Sequence, residues 1–196
     1  MNEPVLCPEK ECTGCEACKN RCAETAIVMQ TDEGGFLQPV VDPELCTGCL
    51  QCVEACPVLQ RPMLERSSRP IVYACWHRND AVRMKSSSGG AFSSLAESVL
   101  AKSGVVFGAA YDENLNVRHI GIEHIKDLDR LRRSKYVQSE IGPTFSEARQ
   151  HLENNRRVLF VGTPCQIAGL YSYLERSYDN LLTVDFICHG VPSPQV

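Results

Sequence analysis

The sequence predicts an α+β chain in two parts: a small cysteine-rich module at the amino end and an alternating α/β domain after it. Three observations carry this. The chain has 196 residues and 12 cysteines, nine of them between Cys7 and Cys56. Charge divides at the same place: residues 1–65 hold 4 Lys+Arg against 11 Asp+Glu, whereas residues 66–196 hold 16 against 13. Beyond residue 70, strand-prone runs alternate with helical ones, the pattern of an α/β domain.

The bulk properties are those of an ordinary globular protein, 43% hydrophobic and 22% charged. No apolar run approaches the ~20 residues that cross a bilayer. The start, MNEPVLCPEK, lacks a basic stretch followed by an apolar one, so no secretory signal is expected and the cytoplasm is the expected location. In a reducing compartment this cysteine density points to metal or redox chemistry rather than disulfides. An acidic module beside a mildly basic one fits an electron carrier next to a domain that takes an anionic cofactor; two unremarkable solvated surfaces fit the same charges.

Residues 1–65 contain an internal repeat. Cys12-Thr13-Gly14-Cys15-Glu16-Ala17-Cys18 recurs 34 positions later as Cys46-Thr47-Gly48-Cys49-Leu50-Gln51-Cys52, and each copy adds a fourth cysteine, Cys22 or Cys56. Between them, Ala26–Gln30 and Phe36–Val41 read as strands around the turn Asp32–Gly35. C-x2-C-x2-C-x3-C twice is the run of a two-cluster ferredoxin, in which three thiolates hold one 4Fe-4S cube and the fourth cysteine crosses to the other. One cluster is therefore assigned to Cys12, Cys15, Cys18 and Cys56, the other to Cys46, Cys49, Cys52 and Cys22. Gly14 and Gly48 let the backbone approach the cubes and direct N–H groups at sulfur. Zinc sites of four cysteines come as two C-x2-C pairs, which this is not. Cys22 is followed by Ala23 where the pattern has proline, so the local turn differs. Cys7 mimics the spacing of a 2Fe-2S site, but that reading strands Cys18; Cys7 is expected to be a partly buried free thiol.

Arg66–Pro70 reads as a linker, and residues 66–80 as linker plus a first strand, Ile71–His77. Residues 81–196 then give a helix over Gly90–Ser103 ended by Gly104, strands Val105–Tyr111 and Val117–Glu123 around Asp112–Asn114, helices Asp127–Arg133 and Pro143–Asn154, a buried strand Val158–Val161, a helix Pro164–Leu174 and a strand Leu181–Ile187. No helix follows the last strand, so this domain reads as incomplete. Ser86–Ala91 opens a helix, where free N–H groups and the dipole suit phosphate; a serine N-cap without ligand explains the same residues. Thr163-Pro164 places Cys165 in a first helical turn, which favours a thiolate. Cys188 ends the next strand, where α/β sites are built. Two buried structural cysteines explain these positions equally.

Four ordered blocks, SSSGGAFSSLAESVLAKSGVVFGAAYD, LRRSKYVQS, VLFVGTPCQIAGL and DFICHGVPS, resemble the coenzyme F420 hydrogenase/dehydrogenase beta-subunit family, many of whose members carry a two-cluster ferredoxin domain in front. The resemblance implies an iron–sulfur flavoprotein oxidoreductase subunit. It would pass electrons between 4Fe-4S clusters, FAD and a two-electron partner such as F420. Relatives reduce chlorophyll-type pigments, so the substrate does not follow. The implied flavin contacts are Ser88, Gly89, Gly90, Lys135 and Tyr136. A third cluster is implied, with Cys165 and Cys188 among its ligands and the others from a later C-x2-C that this chain lacks, which suggests an amino-terminal piece, inactive alone. The expected partners are a redox protein or other oxidoreductase subunits and a small two-electron acceptor or donor, not nucleic acid. A ferredoxin-type carrier without catalytic activity is the alternative; an oxygen-sensing regulatory protein is a third reading.

Overall fold

The computed structural model describes residues 4–60 and 68–195. The predicted boundary at residue 65 lies outside them. The element order is α1 Ala17–Arg21, β1 Ile27–Thr31, β2 Leu37–Val41, α2 Gln51–Glu54, α3 Asp80–Met84, α4 Ala91–Leu100, β3 Val105–Tyr111, β4 Val117–Ile122, a 3-10 turn Ile125–Arg130, α5 Thr144–Glu153, β5 Val158–Gly162, α6 Pro164–Leu174 and β6 Leu181–Asp185.

β1 and β2 pair antiparallel, Ile27 opposite Val41, around a turn in which Asp32 Oδ1 accepts the Phe36 N–H at 2.8 Å. On either side of this hairpin lie the cysteine repeats, each a loop running into a one-turn helix. The second sheet has the order β4-β3-β5-β6. β3 runs antiparallel to β4 and parallel to β5, and β5 runs parallel to β6. β5 lies between two strands and is apolar on both faces, as buried parallel strands are.

The sheet is covered on both sides. One side packs Val106, Ile122 and Leu159 against α4 and the 3-10 turn through Ala96, Val99, Leu100 and Leu128. The other packs Phe107, Val158 and Phe160 against α5 and α6 through Phe145, Ala148, Leu152, Ile167 and Leu170. Two residues of the first cysteine repeat, Cys15 and Ala17, belong to this second core. The cysteine module is thus packed into the α/β domain and does not hang from it.

Sequence and structure differ at four places. Ile71–His77 is not a strand: it is unpaired, and Ile71, Val72, Tyr73 and Trp76 are exposed. A β-branched, aromatic run reads as a strand, but it becomes one only with a neighbour to bond. The helix expected at Asp127–Arg133 is the 3-10 turn Ile125–Arg130. The last strand stops at Asp185, leaving Phe186 and Ile187 outside it and exposed. The left-handed residue that ends α4 is Ser103, φ +55°, and not Gly104. Gly104 is needed for room: a Cβ there would lie 2.7 Å from the Arg157 carbonyl oxygen.

Candidate metal centres

The local backbone of the two repeats is the same. Gly14 and Gly48 take φ +63° and +70°, and two residues on Glu16 and Leu50 take φ +57° and +62°. Two left-handed residues in five coil each loop so that successive thiols face one centre. Glu16 and Leu50 then begin α1 and α2. Each short helix carries the chain one turn further, so Cys22 caps α1 and Cys56 follows the cap of α2. That displacement moves the fourth cysteine out of its own loop.

The result is two pockets of similar size. Cys12, Cys15, Cys18 and Cys56 line one, with about 390 Å³ of empty space partly open to solvent. Cys22, Cys46, Cys49 and Cys52 line the other, with about 340 Å³. Backbone N–H groups point at the thiols: the Ala26 N–H donates to Cys22 Sγ at 3.3 Å, and Gly14, Ala17, Lys19 and Val53 donate to Cys12, Cys15, Cys18 and Cys52. At Cys12, Cys15, Cys18 and Cys52 burial outweighs these bonds and raises the thiol, Cys15 to about 12. Among the described residues no three ligating side chains converge on a single ion position. Four soft donors around an enclosed space, met by amide N–H groups, fit a polynuclear cluster whose ligands hold different irons.

Cys7, expected as a free thiol, lies in the first pocket beside Cys12 and Cys56. Burial, then the nearby Cys56 and Cys12, push it up to about 11. Cys165 sits in the first turn of α6, whose Gln166 accepts the Thr163 N–H at 3.0 Å, with Thr163 Oγ1 3.0 Å from the thiol. It lies close enough to Cys12 and Cys15 that its charge adds to the rise burial imposes on both. β5 and β6 are parallel neighbours, and Cys188 lies in the loop beyond β6, accepting the Gly190 N–H at 3.4 Å. Among the described residues no hydrogen bond joins Cys165 to Cys188.

The turn containing Ser88, Gly89 and Gly90 lies beside the Ser134–Tyr136 stretch, whose Ser134 N–H donates to Ser87 Oγ at 3.0 Å. Gly89 is occupied with its own chain. Its carbonyl accepts the His77 N–H at 2.7 Å, and a Cβ on it would meet the Cys75 carbonyl oxygen at 2.6 Å. Lys135 Nζ is held by the carbonyls of Arg130, Arg132 and Arg133 at 3.2, 2.7 and 3.1 Å, and burial brings it down to about 8. Tyr136 is exposed.

Sequence reasoning passed over Glu16. Its carboxylate is buried, accepts the Ile141 N–H at 2.6 Å and the Gly142 N–H at 3.3 Å, and pairs with Lys19 at 3.2 Å. Around it, Asn20 Nδ2 donates to the Gly142 carbonyl at 2.9 Å, the Leu37 N–H donates to Gln138 Oε1 at 2.8 Å, and Arg21 pairs with Glu175 at 2.7 Å. These bonds fix the first cysteine loop on the α/β domain. The available signal was a charged residue in a short ligand loop, facing an apolar one at the same place in the other copy.

Comparisons with known proteins agree with the geometry. Two family models described as 4Fe-4S dicluster domains match residues 11–59 and 38–93. A third, for the carboxy-terminal part of the coenzyme F420 hydrogenase/dehydrogenase beta subunit, matches residues 155–196. A subunit of the F(420)H(2) dehydrogenase of Methanosarcina mazei is 23% identical over 166 residues, 79% of this chain and 46% of its own length. Over these stretches the chain is similar to proteins of the F420 hydrogenase/dehydrogenase beta-subunit family. The PorD subunit of the pyruvate synthase of Methanocaldococcus jannaschii is 46% identical over 55 residues, 28% of this chain and 58% of its own. Ferredoxin-type protein NapF of Haemophilus influenzae is 41% identical over 44 residues, 22% of this chain and 25% of its own. The chain thus spans less than two thirds of each of these relatives. Residues 11–93 match iron–sulfur dicluster domains, and the chain is similar to an F420H2 dehydrogenase component and to ferredoxin-type proteins. Among the described residues no helix is long and apolar enough to cross a membrane.

Proposed function

We propose that residues 4–60 hold two 4Fe-4S clusters with crossed ligation, Cys12, Cys15, Cys18 and Cys56 for one and Cys22, Cys46, Cys49 and Cys52 for the other. In this reading the chain passes electrons through them to a flavin-dependent two-electron site in the family to which it is related. The observation that carries the reading is the pair of cysteine-lined pockets, each joining three thiols of one repeat to the fourth of the other. Bound clusters would supply one-electron storage; the residues supply thiolates, amide hydrogen bonds to sulfur and a rigid seat on the α/β domain.

The flavin part rests on the family relationship. Gly89 and Gly90 are accounted for by packing against Cys75–His77, and Lys135 by its three carbonyls, so no step is assigned to them. Anaerobic reconstitution followed by iron and acid-labile sulfide assay tests the cluster reading. About eight of each per chain are expected for two cubes; four irons, or zinc without sulfide, would refute it. Titration with FAD separates a flavoprotein from a plain carrier. Gly89→Asp is unsuited to that test because its Cβ disrupts packing whatever binds. Tyr136→Ala, at an exposed position, reports on flavin contact instead.

A further inference from the structure

The two cysteine repeats share a backbone but not their surroundings. At the middle cysteine, Cys15 is buried and Cys49 is exposed. At the next position, Glu16 is 1% exposed and Leu50 is 48% exposed. A carboxylate inside and a leucine outside reverse the usual partition. For Glu16 the reason is the α/β domain, which offers two N–H groups and closes over it. For Leu50, which lines the second pocket, about half of the residue is left uncovered by the described residues.

The basic residues of the two short helices follow the same division. The basic residues of α1, Lys19 and Arg21, turn to their own chain in ion pairs with Glu16 and Glu175. The corresponding helix α2 has no basic residue in its last turn and carries Glu54. Glu24, which lines the second pocket, and Glu44 and Glu54, each two residues along the chain from its Cys46 or Cys52, are exposed. Exposed Leu45 and Val5 each stand one residue from the pocket-lining Cys46 and Pro4. A single surface leucine means little. Here exposed leucines coincide with the one exposed thiol of the eight, inside an acidic rim.

We propose that this face is the docking site for a separate electron-carrier protein whose contact surface is apolar and ringed by lysine or arginine. The inference rests on the cluster reading above. The second cluster exchanges electrons with that carrier one at a time: a reduced cluster loses one electron, the carrier gains it, and no bond or proton moves. The first cluster, roofed by the α/β domain, serves the interior. An apolar centre excludes water at the contact and a charged rim steers the approach.

Cytochrome c, a one-electron protein with a lysine-rimmed contact surface, is a suitable probe. The reconstituted full chain is mixed with it at low ionic strength, joined by zero-length carboxylate–amine cross-linking and mapped by mass spectrometry. Cross-links are expected at Glu24, Glu44 and Glu54. Glu44→Lys with Glu54→Lys is expected to weaken binding about tenfold and flatten its salt dependence, and Leu50→Ser to weaken it by a similar factor. Glu147→Lys on α5 is expected to change neither. Iron is assayed on every protein: fewer than about eight irons in the unmodified chain refutes the cluster reading. With iron intact, cross-links confined to residues 68–195, or binding insensitive to the Glu44→Lys and Glu54→Lys pair, overturn the docking site. If Leu50→Ser loses iron, the charge pair decides, because neither glutamate lines the pocket.

Discussion

His119 is buried in the sheet with both ring nitrogens engaged. Nε2 lies 3.1 Å from the Val161 carbonyl, which can only accept, so Nε2 carries the proton and Nδ1 accepts from Ser139 Oγ at 2.8 Å. Burial holds it down to about 4, and the nearby Lys135 adds to this. The unfolded chain protonates this residue near 6.5 and the folded chain only near 4. Stability is therefore lost as pH falls through that window, on the order of 3 kcal/mol by its lower end. His119→Gln should flatten the difference in urea midpoint against wild type across those pH values; parallel curves would show that the histidine is not the group responsible. A second residue-scale expectation concerns Cys7, which faces Cys56 across the first pocket. Cys56→Ser should alter the electron paramagnetic resonance of the first cluster and spare the second. Cys7→Ser together with Cys56→Ser should hold about four irons per chain; about eight in that double variant would show that neither thiol is needed.

At the scale of elements, the two one-turn helices are the same device in different settings. Ala17 on α1 is fully buried against the core that contains Ile141, Phe145 and Leu170, while its counterpart Gln51 on α2 is half-buried. Ala17→Glu puts an unpaired carboxylate and one extra methylene into that core, which should cost about 3 kcal/mol or more and release iron from the first cluster. Gln51→Glu, the equivalent change, should cost less than about 1 kcal/mol. Denaturant midpoints and iron retention compare the two. Equal losses would mean that the α/β domain does not support the first loop.

At the scale of the whole molecule, the cysteine module and the α/β domain are one structure because a buried carboxylate, two hydrogen bonds between side-chain amides and backbone, and a surface ion pair join them. Cys15 and Ala17 are shared core residues. Anaerobic thermal unfolding of the loaded protein should therefore be a single event, with loss of visible cluster absorbance coinciding with loss of helical circular dichroism. Bleaching of all cluster absorbance well before the helices melt would show two independent units.

By itself, the sequence determined what local chemistry determines. The doubled cysteine spacing suggested the grouping of thiols that the two pockets show, each with a fourth cysteine from the other repeat, because a thiol at a fixed step along a short loop has few places to go. Turn residues and apolar periodicity located the hairpin and most of the elements from Ala91 to Asp185, with bounds within a few residues. What only the tertiary structure decided depends on neighbours distant in the chain. Ile71–His77 has the composition of a strand and no partner to make it one. Lys135, implied as a flavin contact by the resemblance, is held by three carbonyls of its own loop. Gly89 looked like a phosphate contact and makes room for Cys75. Glu16 and Leu50 occupy equivalent positions in nearly identical loops, and only the packing of one loop against Ile141 and Gly142 makes the first an anchor and leaves the second facing outward. Desolvation and hydrogen bonding act between groups brought together by the fold, so their outcome is written in the three-dimensional arrangement and not in either loop alone.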